Sequence, residues 1–359
     1  MINIRTLSVA FLTFFMATVS VQAQMDDAAR IDGLVQEESD SLGWTFGAGI
    51  GLDLTQILVI NPQAGAGQNR FGIGGALGLY ANYRDARQTW FSNLSYNLSA
   101  EKIGSGVVQD SDGNPSDQKI PFRKSIDDLR LNSNYGYKMS EGSKWSYAAN
   151  LFFRTQLMPS YIGVQDGQVY ISEITVEGPY ENSLVSKFMN PGRLNLGLGV
   201  MYEPNERFRI TFTPLTGDVI FVLDQEIANL GVHGTKLEDG STTEYRTTRF
   251  ALGAKIDAEY NNSWLNDRLK FKSNLILFSD YLANPQNVDV LWTNEIAFQI
   301  VGGLQLSFNN VISYDDDVNS FKTDNDQPGG IAVDEDGLAI LGPRTNYYHQ
   351  LLLKYVYLF

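Results

Sequence analysis

Thr248-Arg249-Phe250-Ala251-Leu252-Gly253-Ala254-Lys255-Ile256-Asp257-Ala258-Glu259-Tyr260 is the stretch on which the fold turns. After Thr248 its even positions, Phe250, Leu252, Ala254, Ile256, Ala258 and Tyr260, are all apolar or aromatic, while its odd positions are small or charged: Arg249, Ala251, Gly253, Lys255, Asp257 and Glu259. A period of two belongs to an extended strand whose successive side chains point to opposite faces. The next run repeats the pattern after a short polar turn at residues 262–267, with Leu269, Phe271, Leu275, Leu277 and Tyr281 opposing Arg268, Lys270, Lys272, Asn274 and Asp280. Similar runs start at Trp44, Phe71, Trp90, Leu129, Trp145, Leu194, Phe208, Val288, Leu304 and Tyr347. About twelve strands are predicted, each long enough for the ~9–11 residues with which a tilted strand crosses a bilayer.

The connections alternate in length. Short ones fall at residues 84–87, 140–143, 203–206 and 301–303; long ones at 103–121, 159–190, 214–246 and 315–344, with a briefer one at 283–287. Short periplasmic turns and long extracellular loops are the topology of an outer-membrane barrel. Aromatic residues fit the same reading: Trp44, Trp90, Trp145, Tyr137, Tyr202, Phe208 and Tyr260 sit at the short-turn ends, and Tyr281, Trp292 and Tyr314 near the opposite ends. Amphipathic rings collect at both interfaces of a membrane. The expected fold class is therefore all-β, a transmembrane antiparallel β-barrel of about twelve strands.

Composition agrees. The 359 residues include 33 Gly, 18 Tyr and 20 Phe but only 19% charged residues, a balance of strand and turn formers. With no Cys, disulfides, thiolate metal sites and an N-terminal lipoprotein anchor are excluded, and two His give little material for a His-built metal centre or charge relay. A formal charge of −14 disfavours nucleic acid as a partner. No cofactor is expected.

The chain divides into three parts. Residues 1–23 carry one basic residue, Arg5, an apolar stretch from Leu7 to Met16, and Val21-Gln22-Ala23 where a signal peptidase would cut. They read as a signal peptide for Sec export to the Gram-negative outer membrane. Residues 24–43 form an acidic periplasmic lead-in with Asp26, Asp27, Asp32, Glu37, Glu38 and Asp40, and residues 44–359 form the barrel. The final run places Tyr347, Leu351, Leu353, Tyr355, Tyr357 and Phe359 on one face. A last amphipathic strand ending in an aromatic residue resembles the assembly signal read by the barrel-assembly machinery, so Tyr355, Tyr357 and Phe359 are its candidate residues.

Several stretches resemble a Gram-negative envelope family catalogued as domain of unknown function 3078. They are Ser125 to Ser133 leading to Tyr135-Gly136-Tyr137-Lys138, Trp145-Ser146-Tyr147 through Arg154-Thr155-Gln156-Leu157, and Phe188-Met189-Asn190-Pro191-Gly192-Arg193-Leu194 with Gly197-Leu198-Gly199. Thr213-Pro214-Leu215-Thr216-Gly217, Leu277-Phe278-Ser279-Asp280-Tyr281 with Asn284-Pro285, Val288-Asp289-Val290-Leu291-Trp292 and Ser313-Tyr314-Asp315-Asp316-Asp317 complete the set. The resemblance implies an outer-membrane β protein of unestablished activity, and it is silent on chemistry.

Chemistry must come from the polar faces. Arg130, Arg154, Arg209, Lys255, Asp257, Glu259, Lys270, Lys272 and Glu295 are expected to line the lumen. If the strands from Thr248 and Arg268 form a hairpin, Lys255, Asp257 and Glu259 come beside Lys270 and Lys272 as cross-strand ion pairs. Such charges either satisfy one another in a filled interior or line a path for a small solute. In the last long loop, Asp315, Asp316, Asp317, Asp324 and Asp326 are a weak Ca²⁺ candidate without EF-hand spacing. A hydrolase would need His233, read as exposed in a loop, or His349, read as facing lipid, and neither is accompanied by a recognisable nucleophile. The chain is thus read as no enzyme, but a narrow channel or small-ligand transport barrel in contact with outer-membrane lipid and lipopolysaccharide. The alternative is a non-conducting barrel that binds an envelope protein partner through its extracellular loops.

Overall fold

A computed structural model describes residues 42–57, 70–103, 108–109, 115–116, 123–165, 168–172, 183–231, 233–283, 285–315, 319–321, 340–343 and 345–358. The expected signal peptide and nearly all of the acidic lead-in lie outside the described residues. Twelve antiparallel strands form a closed barrel. They are β1 (Gly43–Ile57), β2 (Arg70–Arg84), β3 (Gln88–Ile103), β4 (Arg123–Lys138), β5 (Trp145–Thr155), β6 (Gly192–Asn205), β7 (Phe208–Phe221), β8 (Thr248–Trp264), β9 (Leu269–Asp280), β10 (Asp289–Val301), β11 (Leu304–Tyr314) and β12 (Asn346–Leu358). Each pairs with its neighbours in sequence, and β1 closes on β12 with Gly49 opposite Leu358 and Leu54 opposite Leu353.

The faces segregate as the alternation requires. Phe46, Ile50, Leu52 and Leu54 of β1 are exposed, as are Leu351, Leu353, Tyr355 and Tyr357 of β12, whereas the intervening Asp53, Leu352, Lys354 and Val356 are buried. Apolar side chains outside and polar ones inside are the inverse of a soluble protein and suit a barrel solvated by lipid. The girdle near the short turns is continuous: the Trp44 ring lies 5.3 Å from that of Tyr83 and 5.8 Å from that of Trp90, and Trp90 in turn 6.4 Å from Tyr135. Trp145 and Tyr202 stack at 4.6 Å further round.

Two boundaries differ from the sequence reading. β4 begins at Arg123, six residues before the expected Leu129, and β7 runs on to Phe221 although Pro214 reads as the start of a long loop. Pro214 is the extra residue of a bulge: Leu198 pairs with Leu215 and Val200 with Phe212 on one side, and Thr213 pairs with Lys255 and Thr216 with Gly253 on the other. A bulge tolerates proline because the extra residue donates no ladder hydrogen bond. The Thr216 hydroxyl donates to the Thr213 carbonyl at 2.9 Å, and the Tyr281 hydroxyl to the Pro214 carbonyl at 3.1 Å, so the kink is sealed from both sides.

The segments between β5 and β8 are also more ordered than loops. Ser183–Ser186, Ser160–Gln165 and Gln168–Ser172 form a three-stranded sheet in that spatial order, and one helical turn, α1 (Gln225–Ala228), follows β7. Val222, Ile227 and Ala228 are buried together, with Leu184 and Leu230 packed on them. Asp224 caps α1 by accepting from the Glu226 amide and receives the Lys187 ammonium at 2.6 Å. A small folded cap thus stands on the long-loop side.

Gly199, opposite the bulge, has no room for a side chain: a Cβ there would sit 1.9 Å from the Phe212 carbonyl oxygen, whereas at outward-facing Gly75 the nearest atom is at 3.6 Å. Gly199→Ala is expected to destabilise the barrel by ~1–3 kcal/mol and Gly75→Ala to be silent, read as urea midpoints of the heat-modifiable band on gels; equal midpoints would contradict the bulge geometry.

Candidate functional site: the charged lumen

Inward positions gather every charged residue that the sequence assigns to the lumen. Arg130, Arg154, Arg209, Lys255, Asp257, Glu259, Lys270, Lys272 and Glu295 all lie on the face opposite the exposed apolar positions of their strands. Their pairing is not the expected one. β8 continues through the turn to Trp264, which pairs with Leu269, so Lys270 and Lys272 stand opposite Ser263 and Asn261 rather than the acidic residues of β8, while on the other edge of β9 Lys272 is in register with Glu295. Three consecutive left-handed residues, Leu265, Asn266 and Asp267, make the hairpin tight enough to set this register. Asp257 instead accepts from the Asn274 amide at 2.7 Å, and Glu259 faces Arg209 at 3.6 Å across the other edge of β8.

Four groupings result. Towards the long loops, Arg130 and Arg154 converge on Asp128, and Arg193 grips Asp218 with both carboxylate oxygens engaged at 3.0 and 2.8 Å. Mid-barrel, amides replace charges: Asn132 donates to Asn93 at 3.1 Å and Asn150 to Asn134 at 2.7 Å, while Lys255 donates to Asn195 at 3.3 Å. Near the short turns, the Arg209 guanidinium meets Glu203 at 3.3 Å and lies 5.6 Å from the centre of the Phe91 ring, a contact between β7 and β3 that spans a third of the strands around the wall. On the opposite side, Lys354 donates to Glu295 at 2.7 Å and Ser307 donates to the same oxygen, with both charged side chains at most 8% exposed. A buried charge is tolerated only when so paired.

Burial varies round the wall, and β12 and β9 differ most plainly. On β12, the inward Leu352, Lys354 and Val356 are buried, as are Ser307 and Asn309 on β11 and Ser95, Asn97 and Ser99 on β3. On β9, every inward position from Lys270 through Lys272, Asn274, Ile276 and Phe278 to Asp280 is half-buried or exposed. A cavity of about 360 Å³ opens at the short-turn end, walled by residues that include Lys270, Lys272, Glu295, Gln299, Gln305 and Lys354.

Asp128, Glu203 and Asp218 are inward carboxylates that the sequence reading does not name, and Asp127 is a further unnamed carboxylate on the other face. Asp127 shares the outward face with Leu98, and a bulge between Ser99 and Ala100 brings Lys124 to the same face at 2.8 Å. Tyr96 and the amides of Leu157 and Met158 also donate to Asp127. The adjacency Asp127-Asp128 is the available signal, because neighbouring strand residues cannot both point inward.

Of the remaining candidates, Asp315 directly follows β11, and Asp316, Asp317, Asp324 and Asp326 lie outside the described residues, as does Phe359. Among the described residues no three His, Asp or Glu side chains come together as a metal site. His349 is exposed on the outward face beside Phe308, the ring centres 6.2 Å apart. His233 is not an exposed loop residue: its ring nitrogen Nε2 donates to the Val185 carbonyl at 2.7 Å in the external cap, and burial pushes its pKa below the usual histidine value. In the cap and turns, the Lys187 ammonium and the Glu226 amide hold Asp224 below the ordinary carboxylate range, and the amides of Arg87 and Gln88 do the same for Asp85.

The family model described as Protein of unknown function (DUF3078) matches residues 54–161. The resemblance read at residues 125–138 and 145–157 falls within that match; the stretches from Phe188 to Asp317 lie beyond it. No curated relative matches the chain. Among solved structures, an outer membrane channel from Pseudomonas putida F1 is 14% identical, aligned over 90% of this chain and 100% of its own, with a TM-score of 0.39. The translocator domain of autotransporter NalP from Neisseria meningitidis is 10% identical over 94% of this chain and 96% of its own, at 0.40. The outer membrane channel DcaP of Acinetobacter baumannii is 8% identical over 90% and 100%, at 0.27. At these levels no residue role or activity transfers.

Lys354→Met removes one half of a buried pair and strands the Glu295 carboxylate, so a loss of ~3–5 kcal/mol is expected in the unfolding midpoint; the double variant with Glu295→Gln should recover much of it. The cap responds to acid. Because His233 titrates lower folded than unfolded, the open cap binds more protons between the two values, and the stability present above pH ~6.5 is lost as the pH falls through the folded pKa. Protease cleavage within residues 222–247 is expected to be faster at pH 5.5 than at pH 7.5, with His233→Asn removing the difference; an equal rate in the wild type would contradict this.

Proposed function

We propose that the chain is an outer-membrane barrel through which a small polar solute passes along one side of the lumen. The observation that carries this reading is the water-reachable inward face of β9, unbroken from Asp280 at the long-loop end to Lys270 at the short-turn end. Charges of both signs border it, with Lys255, Asp257 and Glu259 on β8, and polar walls of mixed sign set which solutes enter a pore. The paired charges elsewhere stiffen the wall against which that strip runs. In this reading residues 1–23 direct Sec export, the last strand is delivered to the barrel-assembly machinery, and the barrel sits in a Gram-negative outer membrane among lipid and lipopolysaccharide. Hydrolysis has no place in it, since His349 faces outward and the His233 ring is committed to Val185.

A second reading rests on the external cap. The packed cluster of Val222, Ile227 and Ala228 and the ion pair of Lys187 with Asp224 make it a folded platform rather than a loose loop. Such a platform suits an envelope protein partner, with the barrel serving as a non-conducting anchor.

Reconstituted in planar bilayers, the folded protein is expected to show discrete conductance steps, and Lys255→Glu to shift the reversal potential towards cations. Electrical silence from protein whose heat-modifiable band proves it folded would overturn the channel reading and favour the platform.

A further inference from the structure

The cavity at the short-turn end has a charge that the rest of the chain does not share. Its wall carries three ammonium groups, Lys270 and Lys272 from β9 and Lys354 from β12, and one carboxylate, Glu295 from β10. This excess of cations occurs in a protein whose formal charge is −14. Glu295 is already bound: one of its oxygens accepts from both Lys354 and Ser307, and Asn309 donates to the Ser307 hydroxyl at 3.1 Å behind them. Asp53, in register with Lys354 across the β12 to β1 seam, stands outside the cavity wall. The buried pair therefore acts as a fixed back wall.

Lys270 and Lys272 form the front, with Lys272 in register with Glu295 and Lys270 with Ala297 across β9 and β10. They are two residues apart on one strand, so both point inward, and Lys270 is exposed at the mouth. The turn between β10 and β11 supplies the floor. There Gln299 donates through its amide to the Gly302 carbonyl, and Arg268 holds the carbonyls of Gln299 and Ile300 at 3.3 and 3.1 Å. Those bonds fix the rim, and the Gln305 amide adds a neutral hydrogen-bonding group to the wall. A volume of about 360 Å³ is at the small end of ligand sites, enough for a compact solute and too small for an oligosaccharide. Preorganised cations in a partly desolvated cleft favour an oxyanion over a neutral solute, because the ligand replaces water around charges that are already in place.

We propose that this cavity is a binding site for a small multivalent oxyanion, a solute carrying carboxylate or phosphate groups, reached from the short-turn mouth and held by Lys270 and Lys272 against the Lys354–Glu295 wall. The proposal rests on the channel reading for its biological sense, but not for its chemistry, since a barrel closed to ions would still present the cavity at its mouth.

Citrate and inorganic phosphate are the probes. The full-length folded protein is titrated with each in detergent by calorimetry, and in planar bilayers each is added to one side at a time. Saturable citrate binding is expected, weakened at least about tenfold by Lys270→Gln with Lys272→Gln and by raising the salt to 1 M. In bilayers, citrate should block the conductance from one side only, with block relieved in the same variant. Tighter citrate than phosphate binding would point to carboxylate solutes, and the reverse order to phosphorylated ones. Binding of equal strength in wild type and variant, or none in either, would overturn the site. Lysine-dependent binding without any conductance would leave the site standing and remove the channel. Lys270→Glu, at an exposed position, serves as a second variant if the double one fails to fold, and should abolish binding by itself.

Discussion

A backbone crossing lipid has no water to bond to, so every N–H and C=O must find a partner in the protein. The seam at which β1 meets β12, six pairs from Gly49–Leu358 to Leu54–Leu353, is where this barrel meets that demand. Without the seam, two strands would each present an open edge to hydrocarbon. Once it is closed, the alternation of side chains becomes a division between lipid and lumen, and every charged residue on the even or odd set of a strand is committed to one side. Even the proline of β7 is reconciled with closure, by a bulge that needs no N–H at that position and by a tyrosine that satisfies its carbonyl.

Charges driven inward in this way must then be solvated by each other or by water, and the barrel uses both solutions. From β10 round to β4 the wall holds patches of small or paired and buried inward residues: glycines on β1 and β2, Ser95 and Asn97 on β3, Asp128 under two arginines, Glu295 between Lys354 and Ser307. Along β9, and on β8 at Lys255, Asp257 and Glu259, the inward residues keep partial contact with water, and Asp257 and Glu259 take amide or guanidinium partners. Packing gives the buried patches their rigidity and hydration gives β9 its capacity for a solute. The two meet at the short-turn end, where the wet lysines of β9 face the dry pair of β10 and β12.

Much of this was legible in the chain. Twelve strands, the short turns, the lumen face of each strand and the aromatic interfaces all follow from a period of two, which survives any uncertainty about partners. What parity does not encode is the offset between strands. The turn at residues 262–267 reads as a six-residue loop, yet the strands pair to Trp264 and Leu269, and that slip sets Ser263 and Asn261 beside Lys270 and Lys272 in place of the expected acidic partners on β8. Pro214 reads as the start of a loop because proline followed closely by glycine is a turn signal, and only the neighbouring strands reveal a bulge. The outer cap is hidden for a different reason: Leu184 lies far in sequence from Val222 and Ile227 and shares no period with them, so their packing appears only in three dimensions. His233 reads as exposed for the same reason.

The lumen is asymmetric between β9 and β12, and the absence of cysteine from the chain allows that to be measured directly. Single cysteines at Asn274 on β9 and at Leu352 on β12 both point inward, and each can be exposed to a charged, membrane-impermeant thiol reagent in the folded, lipid-embedded protein. The account predicts rapid labelling at position 274 and protection at position 352 until the barrel is unfolded. Equal labelling at the two positions, or protection at both, would contradict a lumen that is packed at β12 and wet at β9.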